Sequence, residues 1–175
     1  MKKLFILFLV VGFVACKSKR DQSLDSIRSM EQGLMSDSAK REIDPAKGRA
    51  LITAYMDFSK ANPNDTMAPE LLFKAAELAN GMRAPVEALE YYSLVYSKFP
   101  NYSKAPLCLF LQGFIYENNL RNAKKAKEFY ELFLKSYPNH PLANDVRFSL
   151  QHVGMSDEEL IKMFESQNQA NTAVQ

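Results

Sequence analysis

Apolar side chains recur at helical spacing along most of this chain. Leu24, Ile27, Met30 and Leu34 are separated by three, three and four residues, which puts them on one stripe of a helix. Comparable stripes, bounded by capping residues and prolines, predict helices over 23–35, 45–61, 67–80, 85–98, 104–118, 123–136, 141–153 and 157–166. Asp44 before Pro45 reads as an N-cap followed by an N1 proline. Thr66 and Ser103 stand at equivalent cap positions, Asn122 precedes the helix from Ala123, and Ser156-Asp157-Glu158-Glu159 forms a capping box. No stretch of six residues alternates apolar and polar positions between turn residues, so no strand is expected. One segment departs from the stripe pattern. Residues 106–116 (PLCLFLQGFIY) are apolar almost all round, the pattern of a helix covered on every side.

The stripes repeat. Pro63-Asn64, Pro100-Asn101 and Pro138-Asn139 recur 37 and 38 residues apart. Five residues after each proline stands an alanine (Ala68, Ala105, Ala143), and ten after it a phenylalanine (Phe73, Phe110, Phe148). Eight before it stands a tyrosine (Tyr55, Tyr92, Tyr130), and five before it Phe58, Val95 and Phe133. A recurrence of this length marks a stack of helical hairpins, each burying its apolar face on the next.

The unit resembles the tetratricopeptide repeat (TPR). Ala88-x3-Tyr92…Pro100 and Ala126-x3-Tyr130…Pro138 reproduce the small residue, ring and closing proline of that family's second helix. Leu109-x2-Gln112-Gly113-x2-Tyr116 reproduces its first-helix core, with Gln112 a departure. The longer period is similar to the BamD/CpoB-like branch of bacterial envelope lipoproteins. The resemblance covers about residues 45–155. It implies an antiparallel helix-hairpin solenoid of about three repeats, closed by a C-terminal helix.

The N-terminus carries an address. Lys2 and Lys3 precede an apolar run from Leu4 to Ala15, the length of a signal-peptide core and too short to span roughly 30 Å of hydrocarbon. Phe13-Val14-Ala15-Cys16 resembles a lipoprotein cleavage box, with Phe13 in place of the usual Leu. That resemblance implies lipidation of Cys16, and several acyl chains anchor firmly where one holds marginally. Lys17 stands where an inner-membrane retention signal has Asp, and Lys17, Lys19 and Arg20 replace the acidic residues of a surface-export signal. The implied location is the outer membrane, facing the periplasm. The chain divides into a signal peptide (1–15), a lipidated tether (16–22), the repeat domain (23–155), a C-terminal helix (156–166) and a disordered tail (167–175).

Charge changes the picture once that signal is set apart. The net charge of +2 comes from 22 basic and 20 acidic residues. Without Lys2 and Lys3 the balance is 20 against 20, which argues against a nucleic-acid binder. Chemistry is sparse. Cys108 aligns with apolar Leu71 and Val146 and reads as core. His140 and His152 have no second ligand at helical spacing, and no phosphate loop or nucleophile elbow is present. No catalytic residue, metal or cofactor is expected.

Candidate binding positions follow from the TPR resemblance, in which first helices line a concave face. Leu111, Phe114, Phe73, Glu77 and Phe110 fall at groove positions. Either neighbouring helices cover them, or they form an apolar groove that receives a partner segment. Phe and Glu at these positions lack the Lys and Asn of carboxylate-clamp repeats, which disfavours a charged peptide C-terminus as ligand. The expectation is a lipid-anchored scaffold binding an envelope protein, with an accessory role in outer-membrane protein assembly as the nearest analogy. The alternatives are a division- or peptidoglycan-linked coordinator and a ligand-binding lipoprotein.

Overall fold

Among the described residues, backbone hydrogen bonds within each predicted stripe close into eight α-helices: α1 (Lys19–Ser36), α2 (Pro45–Ala61), α3 (Ala68–Gly81), α4 (Pro85–Lys98), α5 (Ala105–Asn118), α6 (Ala123–Ser136), α7 (Ala143–His152) and α8 (Asp157–Thr172). The structure is a computed structural model that describes residues 17–36 and 43–172. No strand occurs among the described residues. Each helix from α1 to α6 packs on the next in sequence, so the fold is an all-helical stack of antiparallel hairpins.

Three of the expected caps form. The Asp44 carboxylate accepts from the amides of Ala46 (2.9 Å) and Lys47 (3.2 Å). Asn122 Oδ1 accepts from Lys125 N at 3.0 Å. Ser156 and Glu159 bond reciprocally, at 2.7 and 3.2 Å. Thr66 and Ser103 do not cap; α3 and α5 start without a side-chain cap from Met67 or Lys104. Backbone turns replace them. In the first elbow Asp65 N donates to Asn62 O and Ala68 N to Asp65 O; Tyr102 N to Phe99 O and Ala105 N to Tyr102 O repeat the pattern, as do His140 N to Tyr137 O and Ala143 N to His140 O. This shared double turn explains the recurring alanine. Ala68, Ala105 and Ala143 are buried where each elbow enters its helix, and Ser59 Oγ donates to Ala68 O at 3.0 Å.

Two other boundaries move. Residues 19–22, expected as tether, form the first turn of α1. Residues 167–172, expected as tail, continue α8 to Thr172. Cys16 lies outside the described residues. Among those described, no helix is long and apolar enough to cross a membrane.

The core follows the repeat register. Tyr55, Tyr92 and Tyr130 are all buried, as are Phe58, Val95 and Phe133 below them. One apolar cluster joins α1 to α5. A second gathers Leu109, Ala126, Tyr130, Phe133, Ala143 and Val146 from α5 to α7. Buried tyrosines need a partner for the hydroxyl. Tyr55 donates to Glu31 and Tyr130 to Glu117, both at 2.7 Å.

Candidate functional site

The phenylalanine ten residues after each elbow proline meets three different environments. Phe73 is 2% exposed. Tyr92 lies edge-on to it at 5.5 Å, Tyr102 at 6.4 Å, and Lys104 Nζ sits 4.7 Å above its ring. Lys104 is fixed in turn by Glu70 at 3.0 Å. Phe110 is half-buried, stacked on Tyr130 at 6.0 Å. Phe148 is 48% exposed. The gradient has a simple cause. In a stack, each repeat's outward ring is covered by residues of the next hairpin, and Tyr102 and Lys104 do this for Phe73. Among the described residues only α8 follows α7.

The helix expected to close the stack covers this end incompletely. α8 meets α7 through Phe164, which stacks on Phe148 at 6.2 Å, and through Met163, whose Sδ lies 3.2 Å from His152 Nε2. The His152 ring packs 4.2 Å from Phe148, and its Nδ1 donates to Phe148 O at 2.7 Å. Phe164 itself stays 44% exposed.

A cleft of about 470 Å³ opens beside these rings. Phe114 and Arg121 from α5 and its turn, Phe148 and His152 from α7, and Met155 and Leu160 from the last turn and α8 supply its walls. Phe114 is 44% exposed, with its ring 6.3 Å from Phe110. Glu117, also at the wall, accepts the Tyr130 hydroxyl; burial and this carboxylate raise the phenol well above its ordinary range. The volume falls within the usual range of binding clefts, and the walls mix apolar and polar side chains in about equal measure. Arg121 holds its turn at a φ of 50°, in the left-handed region where glycine is the unstrained choice.

The five expected groove positions therefore do not form one surface. Phe114 alone of them lines this cleft. Phe73 is a core residue, because the next hairpin's elbow folds over it. Leu111 packs on the first core cluster and Phe110 on the second. Glu77 lies elsewhere, in a shallower depression with Tyr55, Lys74 and Leu78. Burial raises its carboxyl above the ordinary value. The helix 106–116 is thus covered along Leu107, Cys108 and Leu111 and open at Phe114. Sequence reasoning missed Phe148, Phe164, Met155 and Leu160. The repeat alignment contained the signal for Phe148: it is the third member of the series that begins with buried Phe73, and no further copy of the repeat follows it among the described residues.

The remaining sequence candidates are structural. Cys108 is buried, and that burial pushes its thiol up to about 12, which leaves little thiolate to react. His140 Nδ1 accepts from Leu142 N at 3.1 Å and its ring lies edge-on to Phe133 at 5.5 Å. Among the described residues no three His, Cys, Asp or Glu side chains converge on a point.

Residues 107–140, covering most of α5, all of α6 and the elbow after it, match the family model for the tetratricopeptide repeat. No curated protein matches the chain. Repeats of this kind generally serve as non-enzymatic scaffolds for protein–protein interaction.

Proposed function

We propose that a helical stack carrying such a repeat works here as a lipid-anchored scaffold of the bacterial cell envelope, receiving an apolar segment of a partner protein at its open C-terminal end. One observation carries the binding part of this reading: Phe114 and Phe148, from two different helices, remain exposed at the walls of a single cleft, and Phe164, stacked on Phe148, is exposed beside it. Scattered apolar residues on a surface mean little, but a contiguous aromatic patch with a polar rim marks an interaction site. A partner helix or extended segment laid beside Phe114 buries these rings, with Arg121 and His152 at the edge to fix its register.

The test separates groove from core. Phe114→Asp is expected to keep its melting temperature within a few degrees while losing the partner that in-cell crosslinking and mass spectrometry recover with the wild-type chain. A variant that unfolds, or one that keeps its full set of crosslinks, overturns the assignment.

The envelope address rests on the signal sequence and its Cys16 box. Cys16→Ala is expected to shift the protein from the membrane pellet to the soluble fraction. Unchanged sedimentation with membranes would remove the anchor from this reading. An outer membrane location facing the periplasm, and an accessory role in outer-membrane protein assembly, fit this address and fold best. A division coordinator with a coiled-coil trimerisation segment fits less well, because α1 spends Leu24 and Ile27 on the core of its own chain.

A further inference from the structure

We propose that the scaffold stands on the membrane by one edge of its stack, the edge formed by the three Pro-Asn elbows, with the lysines there resting on anionic lipid headgroups. This inference rests on the lipid anchor at Cys16 proposed above, and it adds an orientation and a second contact.

The first support is the reach of the chain. α1 begins at Lys19, and the Arg20 guanidinium holds the Asp65 carboxylate of the first elbow, which is itself tied to Met67 N at 2.8 Å. The start of α1 is therefore fixed beside the elbow 62–67. Cys16 precedes Arg20 by four residues, so even a fully extended chain puts it no more than about 14 Å from the Arg20 Cα. The helices α4, α5 and α6 are 14 residues long, which puts the opposite turns, at Arg83 and Arg121, roughly 20 Å farther away. An anchor at Cys16 draws the elbow edge to the membrane and leaves the other edge in water.

The second support is charge. In an antiparallel stack the C-termini of α2, α4 and α6 all end at the elbows. Each carries a lysine two or three residues before its elbow proline: Lys60, Lys98 and Lys135. These three and Lys19 make no ion pair among the described residues. Of the acids toward this end, Asp65 is held by Arg20, Asp25 by Lys17 and Glu70 by Lys104; Asp21 sits beside Arg20, and Asp57 and Asp145 stand toward the same end. Among the described residues the opposite edge bears three unpaired cations of its own, Arg83, Arg121 and Lys124, among Glu87, Glu128, Glu158 and Glu159, so it is the nearness of the anchor that selects the elbow lysines. Arg49 and Lys125 are paired there, at 2.5 and 2.7 Å. Each free lysine brought to an anionic surface strengthens partitioning about fivefold, and salt screens the effect.

The mature, full-length chain is reconstituted into vesicles of phosphatidylethanolamine and phosphatidylglycerol. Environment-sensitive labels are placed one at a time at Asn64, Asn101 and Asn139 on the elbows, and at Arg83 and Asn119 on the opposite turns. Headgroup-attached quenchers should quench the three elbow labels strongly and the two turn labels weakly. Lys60→Glu/Lys98→Glu/Lys135→Glu together should erase the difference at Asn101 and Asn139, as should replacing phosphatidylglycerol with phosphatidylcholine, while the chain stays vesicle-bound. Equal quenching of both edges by the wild-type chain, or stronger quenching of the turns, overturns the orientation. An elbow preference that survives the triple variant and the neutral vesicles overturns the lysine contact. Anchoring is read separately, from the mass of the mature chain, so an unlipidated Cys16 counts against the function proposed above and not against the ranking of the labels.

Discussion

Phe73→Ala is expected to destabilise the protein by about 3–5 kcal/mol, while Phe114→Ala costs about 1 kcal/mol or less. The two positions looked alike as aromatic residues on neighbouring first helices. Phe73 is enclosed by Tyr92, Tyr102 and the Lys104 ammonium, and it belongs to the core cluster that joins α1 to α5. Truncating it leaves a cavity bounded by two helices and an elbow, and it strands Lys104 without its ring. Phe114 leaves no cavity, since nearly half of its surface already meets water. Chemical denaturation of both variants checks this: the midpoint should fall steeply for Phe73→Ala and barely for Phe114→Ala. Partner capture should reverse the order, surviving in whatever Phe73→Ala remains folded and failing in Phe114→Ala. Similar midpoints for the two variants would show that the next hairpin does not enclose Phe73 as described.

The contrast also shows what the sequence made legible. Helix positions, the Tyr55, Tyr92 and Tyr130 register and the elbow alanines were readable because each depends on local spacing and on a recurring unit. Burial at the phenylalanine position was not, because it is decided by whatever follows in the stack. Phe73, Phe110 and Phe148 occupy one repeat position with one side chain, yet only the first is closed over. The elbow caps illustrate a second limit. Thr66 and Ser103 have the right chemistry for capping, but two backbone turns already satisfy those amides, and the Asp65 side chain takes Met67 N. α8 illustrates a third. Residues 167–172 carry no aromatic side chain and look like a tail, yet they contain no glycine or proline to stop a helix that the capping box at Ser156 has started.

Gly113→Val is expected to lower the melting temperature by roughly 5–12 °C, the equivalent of about 3 kcal/mol in a protein of this size. A Cβ built on Gly113 would lie 2.5 Å from Tyr130 Cε1 and 2.7 Å from Cδ1, so the ring or the helix must yield. Tyr130 has nowhere to go. It is fully buried, its hydroxyl is held by Glu117 at 2.7 Å and its ring is stacked on Phe110. α5 would have to back away from α6, loosening the second core cluster and the floor of the cleft beside Phe114. Gly48 is the control. A Cβ there meets the Met82 thioether, the free end of a flexible side chain, which can swing aside. Replacing a helical glycine with alanine gains up to about 1 kcal/mol in propensity, so Gly48→Ala should be neutral or stabilising. Thermal melts of Gly113→Ala and Gly113→Val should show the loss growing with side-chain size, since the steric cost overtakes the propensity gain. A Gly113→Val chain as stable as wild type would mean that the close approach of α5 and α6 is not what holds the Tyr130 ring, and the cleft geometry derived from it would have to be redrawn.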